Sequence, residues 1–352
     1  MSKRMRQVLN ARSRRTAGAP SGGPPAGWRA DEPLPVGGVT LPNRIVQAPL
    51  AGIGNWAFRR QSRRFGAGLC VSEMVASQGI VRDNRKTLSM LRVVEGESPV
   101  AIQLLGAEPE AMAASAKAAV EAGADIVDVN MGCPVPKVCK TGAGSALLDD
   151  PDAAARLVDA MVAAVDVPVT VKMRRGSTPA TSRPVEMARR LESAGAAALC
   201  VHPRAAAEEY EGAADHAITA EVAAAVGVPV IASGDVGSAE DVARVLAIEG
   251  VEAVAIGRAA LGYPWLYREL VSGVASPRPA RAEMVAELRR FAADAAEALG
   301  SARAVGYLRK FYPWYLAGYD VPHEVAQAML REPTVEGALS RLVEGWALAP
   351  AA

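Results

Sequence analysis

The sequence has few cysteines, few histidines and no long apolar segment. Four cysteines in 352 residues, without paired spacing, exclude a disulfide scaffold and favour a reducing cytoplasm. Three histidines and no zinc-like cysteine spacing argue against a bound metal. No apolar run reaches the ~18 residues of a membrane span, so no membrane-embedded segment is expected.

Charge is distributed unevenly along the chain. The formal net charge is +1, but residues 1–30 hold seven basic residues and no acidic one, which leaves −6 on the remainder. A nucleic-acid partner would therefore need local basic patches. Residues 1–32, rich in Arg, Ser, Gly and Pro, are predicted to form a disordered basic tail. An acid-free, Arg-rich segment is also typical of a transit peptide, which is the alternative.

Eight short apolar segments recur along the chain, and each has the pattern of a strand buried on both faces. They are residues 44–51, 68–74, 99–106, 126–132, 168–174, 198–204, 229–235 and 253–259. Ala-rich segments with helical spacing lie between several of them. This alternation predicts an α/β fold, a (β/α)8 TIM barrel over 33–272, with a doubly wound open sheet as the alternative.

The pattern becomes purely helical near residue 280, which predicts a C-terminal helical domain over 280–352. Residues 305–319 of this domain mix basic and aromatic side chains, which suits RNA binding. The cations predicted to hold RNA are Arg59, Arg60, Arg63, Arg64, Arg174, Arg175, Arg309 and Lys310, with Tyr312 and Trp314 for base stacking.

Polar residues and glycines interrupt the apolar strands at their C-terminal ends. These residues are Pro49-Leu50-Ala51, Glu73, Gln103, Asn130, Cys133, Lys172, His202, Ser233-Gly234-Asp235 and Gly257-Arg258. In a barrel these ends meet at one face, where active sites lie. Glycines after the last two strands let backbone N–H groups approach a phosphate, and Arg258 supplies a bidentate cation. Two tight turns with a surface arginine are the alternative.

Three polar side chains in the strands suit a flavin ring. Lys172 would be costly without an anionic partner, and beside the N1–O2 edge of a flavin it would stabilise the reduced ring. Gln103 can donate to and accept from the polar edge of the ring. His202 can donate a ring N–H. A satisfied core amide and a satisfied buried histidine are the alternatives for the last two.

Cys133 differs from the other cysteines because a glycine and a proline hold it in a turn that leaves the fourth strand. Cys70 and Cys200 lie within apolar strands and are predicted to be core residues. A thiol with an ordinary pKa near ~8.5 is protonated at neutral pH, as a proton donor requires. Cys139 follows in the same loop, and metal binding by this pair is not expected.

The motifs resemble, in their order, those of the bacterial tRNA-dihydrouridine synthases. The matching segments are NRIVQAPLAGI, VSEM, PVAIQLLG, DVNMGCPVPKV with GAGSALL, PVTVKMR, VHPR with EYEGAAD, IASGD and AIGRAALGYPWL, over about 43–267. The pair NMGCPVPKV and GAGSALL is highly specific, whereas the others are ordinary for flavin barrels.

The resemblance implies an FMN enzyme that uses NADPH to reduce the C5–C6 double bond of uridine in tRNA. In the family, reduced flavin gives hydride to C6 and the motif cysteine, here Cys133, protonates C5. The implied cofactor residues are Pro49, Leu50, Ala51, Gln103, Lys172, His202, Ser233, Gly234, Asp235, Gly257 and Arg258. The residues predicted to contact the substrate are Asn130, Lys137, Arg204, Arg309 and Lys310.

The chain departs from the family pattern at several positions. Ala205, Ala206 and Glu208 stand where Thr-Arg and a Gln are usual, so polar groups are missing on the substrate side. Asn55 and Ser233 replace an acid and an Asn, which leaves backbone contacts to phosphate open. Two other functions stay open: an FMN-barrel oxidoreductase for a small molecule, and a non-catalytic RNA-binding flavoprotein. The sequence is silent on oligomeric state, and a monomer is the expectation.

Overall fold

The computed structural model describes residues 23–347 and contains one parallel sheet of nine strands, of which eight, β1–β8, close into a barrel and the ninth is the short Val75–Ala76. In chain order the strands are Ile45–Gln47, Leu69–Val71, Val100–Leu105, Ile126–Met131, Val169–Arg174, Ala198–His202, Val230–Ser233 and Val251–Ile256. The pairing runs from β2 through β1 and β8 to β3, and β2 also pairs with β3, so the sheet closes. The predicted TIM barrel is confirmed, and the open sheet is excluded.

A hairpin closes the N-terminal end of the barrel. Its two strands, Leu34–Val36 and Val39–Leu41, are antiparallel. Their apolar side chains belong to the same buried cluster as the inward-facing strand residues Val46, Cys200 and Ile231. Burial of this apolar surface drives the closure. The opposite end of the barrel, where the strands terminate, is left for polar groups.

Helices follow the strands and cover the outer face of the sheet. They are Trp56–Arg64, Ser77–Val81, Arg85–Leu88, Pro109–Glu121, Pro136–Cys139, Pro151–Val162, Pro184–Ser193, His216–Ala223, Ala239–Leu246 and Trp265–Ser272. Several begin with proline in the first turn or with an N-cap side chain such as Asn55 or Ser238. An N-cap side chain accepts a hydrogen bond from a free N–H group of the first turn, and a proline there has no N–H group to satisfy.

The C-terminal helices pack around a cluster of aromatic rings. These helices are Arg281–Leu299, Ser301–Leu308, Tyr312–Leu316, His323–Arg331 and Val335–Ala347. The ring of Phe311 lies 4.9 Å from the rings of Phe291 and Tyr307. Tyr312 and Trp314 are only 2% and 4% exposed. The prediction that these two residues stack on bases is therefore wrong, because their rings are core.

Helix Trp56–Arg64 joins the barrel to the C-terminal helices. Arg64 pairs with Glu287 at 2.6 Å, and Arg60 and Arg64 both reach Asp294 at 3.4 Å. Gln61 donates to Glu287 at 2.6 Å and also contacts the hydroxyl of Tyr315. The basic residues of this helix thus hold two parts of the chain together.

The remaining arginines of this helix are also committed to the protein. Arg59 is 1% exposed and pairs with the equally buried Glu97 at 3.0 Å. Arg63 donates to the carbonyl of Ala67 at 2.7 Å. The prediction that this arginine cluster binds RNA is therefore not supported, since its guanidinium groups already have acidic or carbonyl partners.

Part of the predicted tail is anchored. Trp28 donates to the carbonyl of Val271 at 2.9 Å, and Arg29 pairs with Glu252 at 2.8 Å. The predicted tail of 1–32 is therefore too long at its C-terminal end, while residues 1–22 lie outside the described part of the chain. No helix within 23–347 has both the length and the apolar character needed to cross a membrane.

Candidate active site

A pocket lies at the C-terminal face of the barrel, between the loop after β1 and the ends of β5 to β8. It is lined by nine of the predicted cofactor residues: Pro49, Leu50, Lys172, His202, Ser233, Gly234, Asp235, Gly257 and Arg258. Ala51 is exposed beside the pocket and does not line it. Gln103 also lies outside its lining, buried on β3.

The turn after β7 approaches the pocket with its backbone. Gly234 has φ +114°, and a Cβ there would lie 2.8 Å from a ring carbon of His202. Asp235 follows with φ +53°. Only glycine adopts the first of these conformations at low cost, so the turn requires this residue.

Arg204 fastens this turn from the end of β6. It is 3% exposed and pairs with Asp235 at 2.5 Å, and it also donates to the carbonyl of Gly212 at 2.7 Å. Asp235 in turn accepts from the backbone N–H of Ala214 at 2.8 Å. Arg204 was predicted to contact the substrate. In the structure its guanidinium group is already hydrogen-bonded within the protein, through Nε to the carbonyl of Glu211 and through Nη2 to Gly212 and Asp235.

The loop after β6 is held by two arginines at the end of β5. Arg174 donates to the carbonyls of Ala205 and Glu209 at 2.9 and 2.8 Å. Arg175 pairs with Glu208 at 2.7 Å, and Glu208 also accepts the N–H of Ala205. Glu208, one of the departures from the family pattern, is thus part of the loop's own structure, and both arginines predicted to bind RNA are engaged.

This loop places Tyr210 at the mouth of the pocket. The guanidinium carbon of Arg258 lies 4.0 Å from the centre of the Tyr210 ring, and that of Arg174 lies 5.4 Å away. The ring is 46% exposed. A cation over an aromatic face is attracted by the ring's quadrupole, so Tyr210 helps to orient Arg258 toward the pocket.

His202 is a neutral imidazole in this environment. Burial lowers its pKa far below the ordinary value, and Lys172, Arg174, Arg204 and Arg258 lower it further. Arg204 lies 3.3 Å from Nε2 and can only donate, so Nε2 accepts and the ring proton resides on Nδ1. His202 therefore offers one neutral N–H.

The pocket fits an anionic, electron-accepting ligand such as FMN. Lys172 is half-buried and lines both the pocket and the barrel interior below it, yet forms no ion pair within the described residues. A half-buried ammonium group needs an anionic partner. The two carboxylates of the lining, Asp235 and Asp241, are already paired with Arg204 and Arg244. The excess of positive charge is thus available to a phosphate and a reduced ring.

A chain of side-chain hydrogen bonds connects the barrel interior to Cys133. Asp128 accepts from Gln103 Nε2 at 2.7 Å, and Gln103 Oε1 accepts from Asn130 Nδ2 at 2.8 Å. Asn130 Oδ1 accepts the backbone N–H of Cys133 at 3.0 Å. Thr170 donates to the other oxygen of Asp128 at 2.7 Å. The ionised carboxylate can only accept, so it fixes which way both amides point.

The thiol of Cys133 is protonated at neutral pH. It is 9% exposed, and burial raises its pKa above the ordinary value. Cys139 lies beside it, with Sγ 3.5 Å from the Cys133 carbonyl and 3.3 Å from Ser145 Oγ. Cys70 is fully buried and Cys200 is 8% exposed, and burial raises their pKa values to about 12 and about 11. Cys133 lies just after β4 and outside the pocket lining, and β4 pairs with β5, which carries Lys172 of that lining.

The remaining predicted substrate residues lie apart from the pocket lining. Lys137 is exposed on the short helix that follows Cys133. Arg309 is half-buried and donates to the carbonyl of Glu332 at 2.8 Å. Lys310 is exposed and reaches the carbonyl of Gly52 at 3.2 Å. Among residues 23–347, no group of three or more His, Cys, Asp or Glu could hold a metal ion.

Sequence reasoning missed Asp128, Thr170 and Tyr210. Asp128 interrupts the apolar strand DIVDVN, and a buried carboxylate among valines is a usable signal. Tyr210 gave no such signal, because its role depends on how the loop after β6 folds over Arg258.

The chain matches known proteins over most of its length. The family model described as Dihydrouridine synthase (Dus) matches residues 46–343. The chain is 43% identical over 288 residues to tRNA-dihydrouridine synthase B of Pseudomonas aeruginosa, covering 80% of this chain and 86% of that protein. It is 38% identical over 315 residues to tRNA-dihydrouridine synthase B of Xanthomonas campestris, covering 87% and 94%.

Solved structures share the fold at low identity. The old yellow enzyme homologue of Zymomonas mobilis matches with a TM-score of 0.54 and 14% identity, covering 73% of this chain and 96% of that one. Morphinone reductase in complex with tetrahydroNAD matches with a TM-score of 0.52 and 18% identity, covering 73% and 94%. The family model and the curated relatives, which extend over most of the chain, show that it belongs to the dihydrouridine synthase family.

Proposed function

We propose that this chain is a tRNA-dihydrouridine synthase that uses FMN and NADPH to reduce the C5–C6 bond of uridine in tRNA. Its membership in the dihydrouridine synthase family supports this reaction. The observation that carries the assignment is Cys133, a protonated thiol fixed just after β4, the strand that pairs with the one carrying Lys172 of the cationic pocket. A cytoplasmic location belongs to the same proposal.

The side chains divide into groups with different tasks. Bound FMN supplies hydride chemistry, with NADPH as the electron source. Arg258 and the turn at Gly234 would hold its phosphate, and Lys172 would balance negative charge on its ring. The Sγ–H bond of Cys133 breaks and its proton forms the new C–H bond at C5 of uridine. The thiolate then regains a proton from water.

The hydrogen-bond chain through Asn130 keeps the acid in place. Cys133 N–H is bonded to Asn130, so the backbone that carries the thiol cannot rotate freely. An acid positioned in this way accelerates proton transfer by roughly 10²–10⁴-fold. The loop behind it adds only a weak contact, from Cys139 Sγ to the Cys133 carbonyl.

The test compares Cys133→Ala with Cys139→Ala. Flavin reduction by NADPH is followed by stopped flow, and reoxidation by tRNA is followed in the second step. Cys133→Ala should bind FMN and accept electrons as the wild type does, while dihydrouridine formation falls by about 10²–10⁴-fold. Cys139→Ala should retain most activity, because its sulfur makes only weak contacts.

Three outcomes would contradict the proposal. Normal product formation by Cys133→Ala means that the thiol is not the acid. Reoxidation of the wild-type flavin by small enones or by oxygen, with no dihydrouridine in any RNA tested, favours a small-molecule oxidoreductase. A protein that binds tRNA but never reduces its flavin favours the non-catalytic alternative.

A further inference from the structure

Five exposed cations have no acidic partner and lie on loops after β2 and β4. They are Arg82, Arg85, Lys86, Lys137 and Lys140. None of the five forms an ion pair with any residue in 23–347. In helix Trp56–Arg64, by contrast, Arg59, Arg60 and Arg64 have acidic partners and Arg63 donates to a backbone carbonyl. Only unpaired cations can exchange counterions for a polyanion without first breaking a protein contact.

The loop after β2 reaches the end of β3. Its short strand Val75–Ala76 pairs in parallel with the last two residues of β3, Leu104 and Leu105. A Cβ on Gly106, the residue after β3, would collide with Ser77 Oγ. The segment that carries Arg82, Arg85 and Lys86 therefore begins at the C-terminal face of the barrel.

The loop after β4 meets the same point from the other side. A Cβ on Gly142 would lie 3.4 Å from the Cβ of Ala107. Lys140 precedes Gly142 by two residues, and Lys137 lies four residues after Cys133. The cations of the two loops thus flank the end of β3. The hydrogen-bond chain from Gln103 on β3 through Asn130 on β4 ends at the backbone of Cys133.

The loop after β2 is folded rather than open. Asn84 Oδ1 accepts the N–H and the hydroxyl of Thr87 at 3.1 and 3.3 Å, and Thr87 packs against Gly79. Asp83 is the single acid in residues 77–92. Arg82, Arg85 and Lys86 therefore lie on an ordered turn whose net charge is positive.

We propose that these two loops, with Arg82, Arg85, Lys86, Lys137 and Lys140, form the surface that holds the RNA backbone beside the target base. The inference rests on the proposed function, since it places the tRNA of that reaction. A base that reaches Cys133 must bring its flanking phosphates to the surrounding rim. That rim has cations without an ion pair, whereas the four arginines of helix Trp56–Arg64 are engaged by acidic or carbonyl groups.

The experiment compares two matched double substitutions in the full-length holoenzyme. Arg85→Gln with Lys86→Gln removes one arginine and one lysine from the rim. Lys117→Gln with Arg156→Gln removes the same pair from exposed positions on the outer helices, where neither forms an ion pair in the described chain. Binding of unmodified tRNA is measured by fluorescence anisotropy over a series of salt concentrations.

The rim variant should lower the slope of log K against log salt by about 1.4 to 1.8, since each of two lost phosphate contacts removes about 0.7–0.9. Its KM for tRNA should rise at least tenfold, with unchanged FMN content and unchanged reduction by NADPH. The outer-helix variant should match the wild type. Lys140→Gln should change the slope by about half as much as the rim double.

Equal slopes and equal KM values for both doubles would overturn the inference, as would an equal loss in both, which would reflect net charge alone. Failure of the proposed function looks different. In that case the wild type itself makes no dihydrouridine, while the anisotropy measurement still reports whether the rim binds RNA.

Discussion

Replacing Asp128 by Asn tests the hydrogen-bond chain and its buried charge together. The amide is nearly isosteric, and its oxygen can accept from Gln103 while its NH2 group donates to Thr170 Oγ1. The orientations of Gln103 and Asn130 are then preserved. The substitution therefore removes the charge and leaves the direction of the chain unchanged.

The charge has a calculable effect on stability. Burial raises the pKa of Asp128 from 3.8 to about 6, against the lowering effects of Gln103, Thr170 and Lys172. Because the pKa of Asp128 is higher in the folded state, its contribution to the free energy of unfolding is greatest below about pH 4. This contribution is lost as the pH rises to about 6. The full difference corresponds to at most about 3 kcal/mol.

Asp128→Asn should therefore gain stability relative to the wild type as pH rises from 4.5 to 6.5, and the gain should then level off. Urea unfolding of the apoprotein at four pH values measures it. Asp159→Asn, at an exposed position on an outer helix, is the control and should show no such trend. A flat difference for Asp128→Asn would refute the argument that the carboxylate is ionised at a cost.

Activity separates the charge from the hydrogen bond. Asp128→Asn should retain dihydrouridine formation within about tenfold, whereas Asp128→Leu removes the acceptor and frees the Gln103 amide to rotate. Misplacement of a catalytic group by ~1 Å costs about 10²-fold, so the Leu variant should lose activity on that scale. Equal activity of the two variants would show that the chain does not position Cys133.

Three further substitutions have defined outcomes. Arg258→Ala should weaken FMN retention by about 1.5–3 kcal/mol, measured by flavin titration, because a charge-assisted phosphate contact is lost. Gly234→Ala should lower FMN affinity and stability together, since its Cβ would meet His202; unchanged binding would count against the turn's role. Arg59→Leu should cost about 3–5 kcal/mol in unfolding free energy by leaving Glu97 unpaired, and Glu97→Gln in the same protein should restore part of it.

The barrel could be predicted because each strand is buried on both faces, so its apolar run is visible in a single sequence. The pocket could be predicted because strand ends in a barrel converge. Lys172, Gly234 and Arg258 share a pocket although they are far apart in the chain. Neither inference required knowledge of individual contacts.

The arginines illustrate what sequence could not supply. Arg64 finds Glu287 across 223 residues, and Arg59 finds Glu97 across 38, and neither spacing follows a helix or strand period. A helix whose arginines are exposed and a helix whose arginines form ion pairs have the same sequence pattern, because the sequence does not give the positions of the acidic partners. The prediction that Tyr312 and Trp314 stack on bases was wrong for the same reason, because their burial depends on how the C-terminal helices fold together.

The contacts of the loop after β1 give the C-terminal helices a second role. Tyr307 donates to the carbonyl of Ile53 at 2.8 Å, and Lys310 reaches Gly52, both a few residues beyond the Pro49-Leu50 wall of the pocket. An RNA bound to those helices would therefore be held at a fixed distance from the pocket. Loss of these contacts, for example in Tyr307→Phe with Lys310→Ala, would change how the helices sit on that loop. Choice of uridine would then be a property of the joint between the two parts as much as of the pocket.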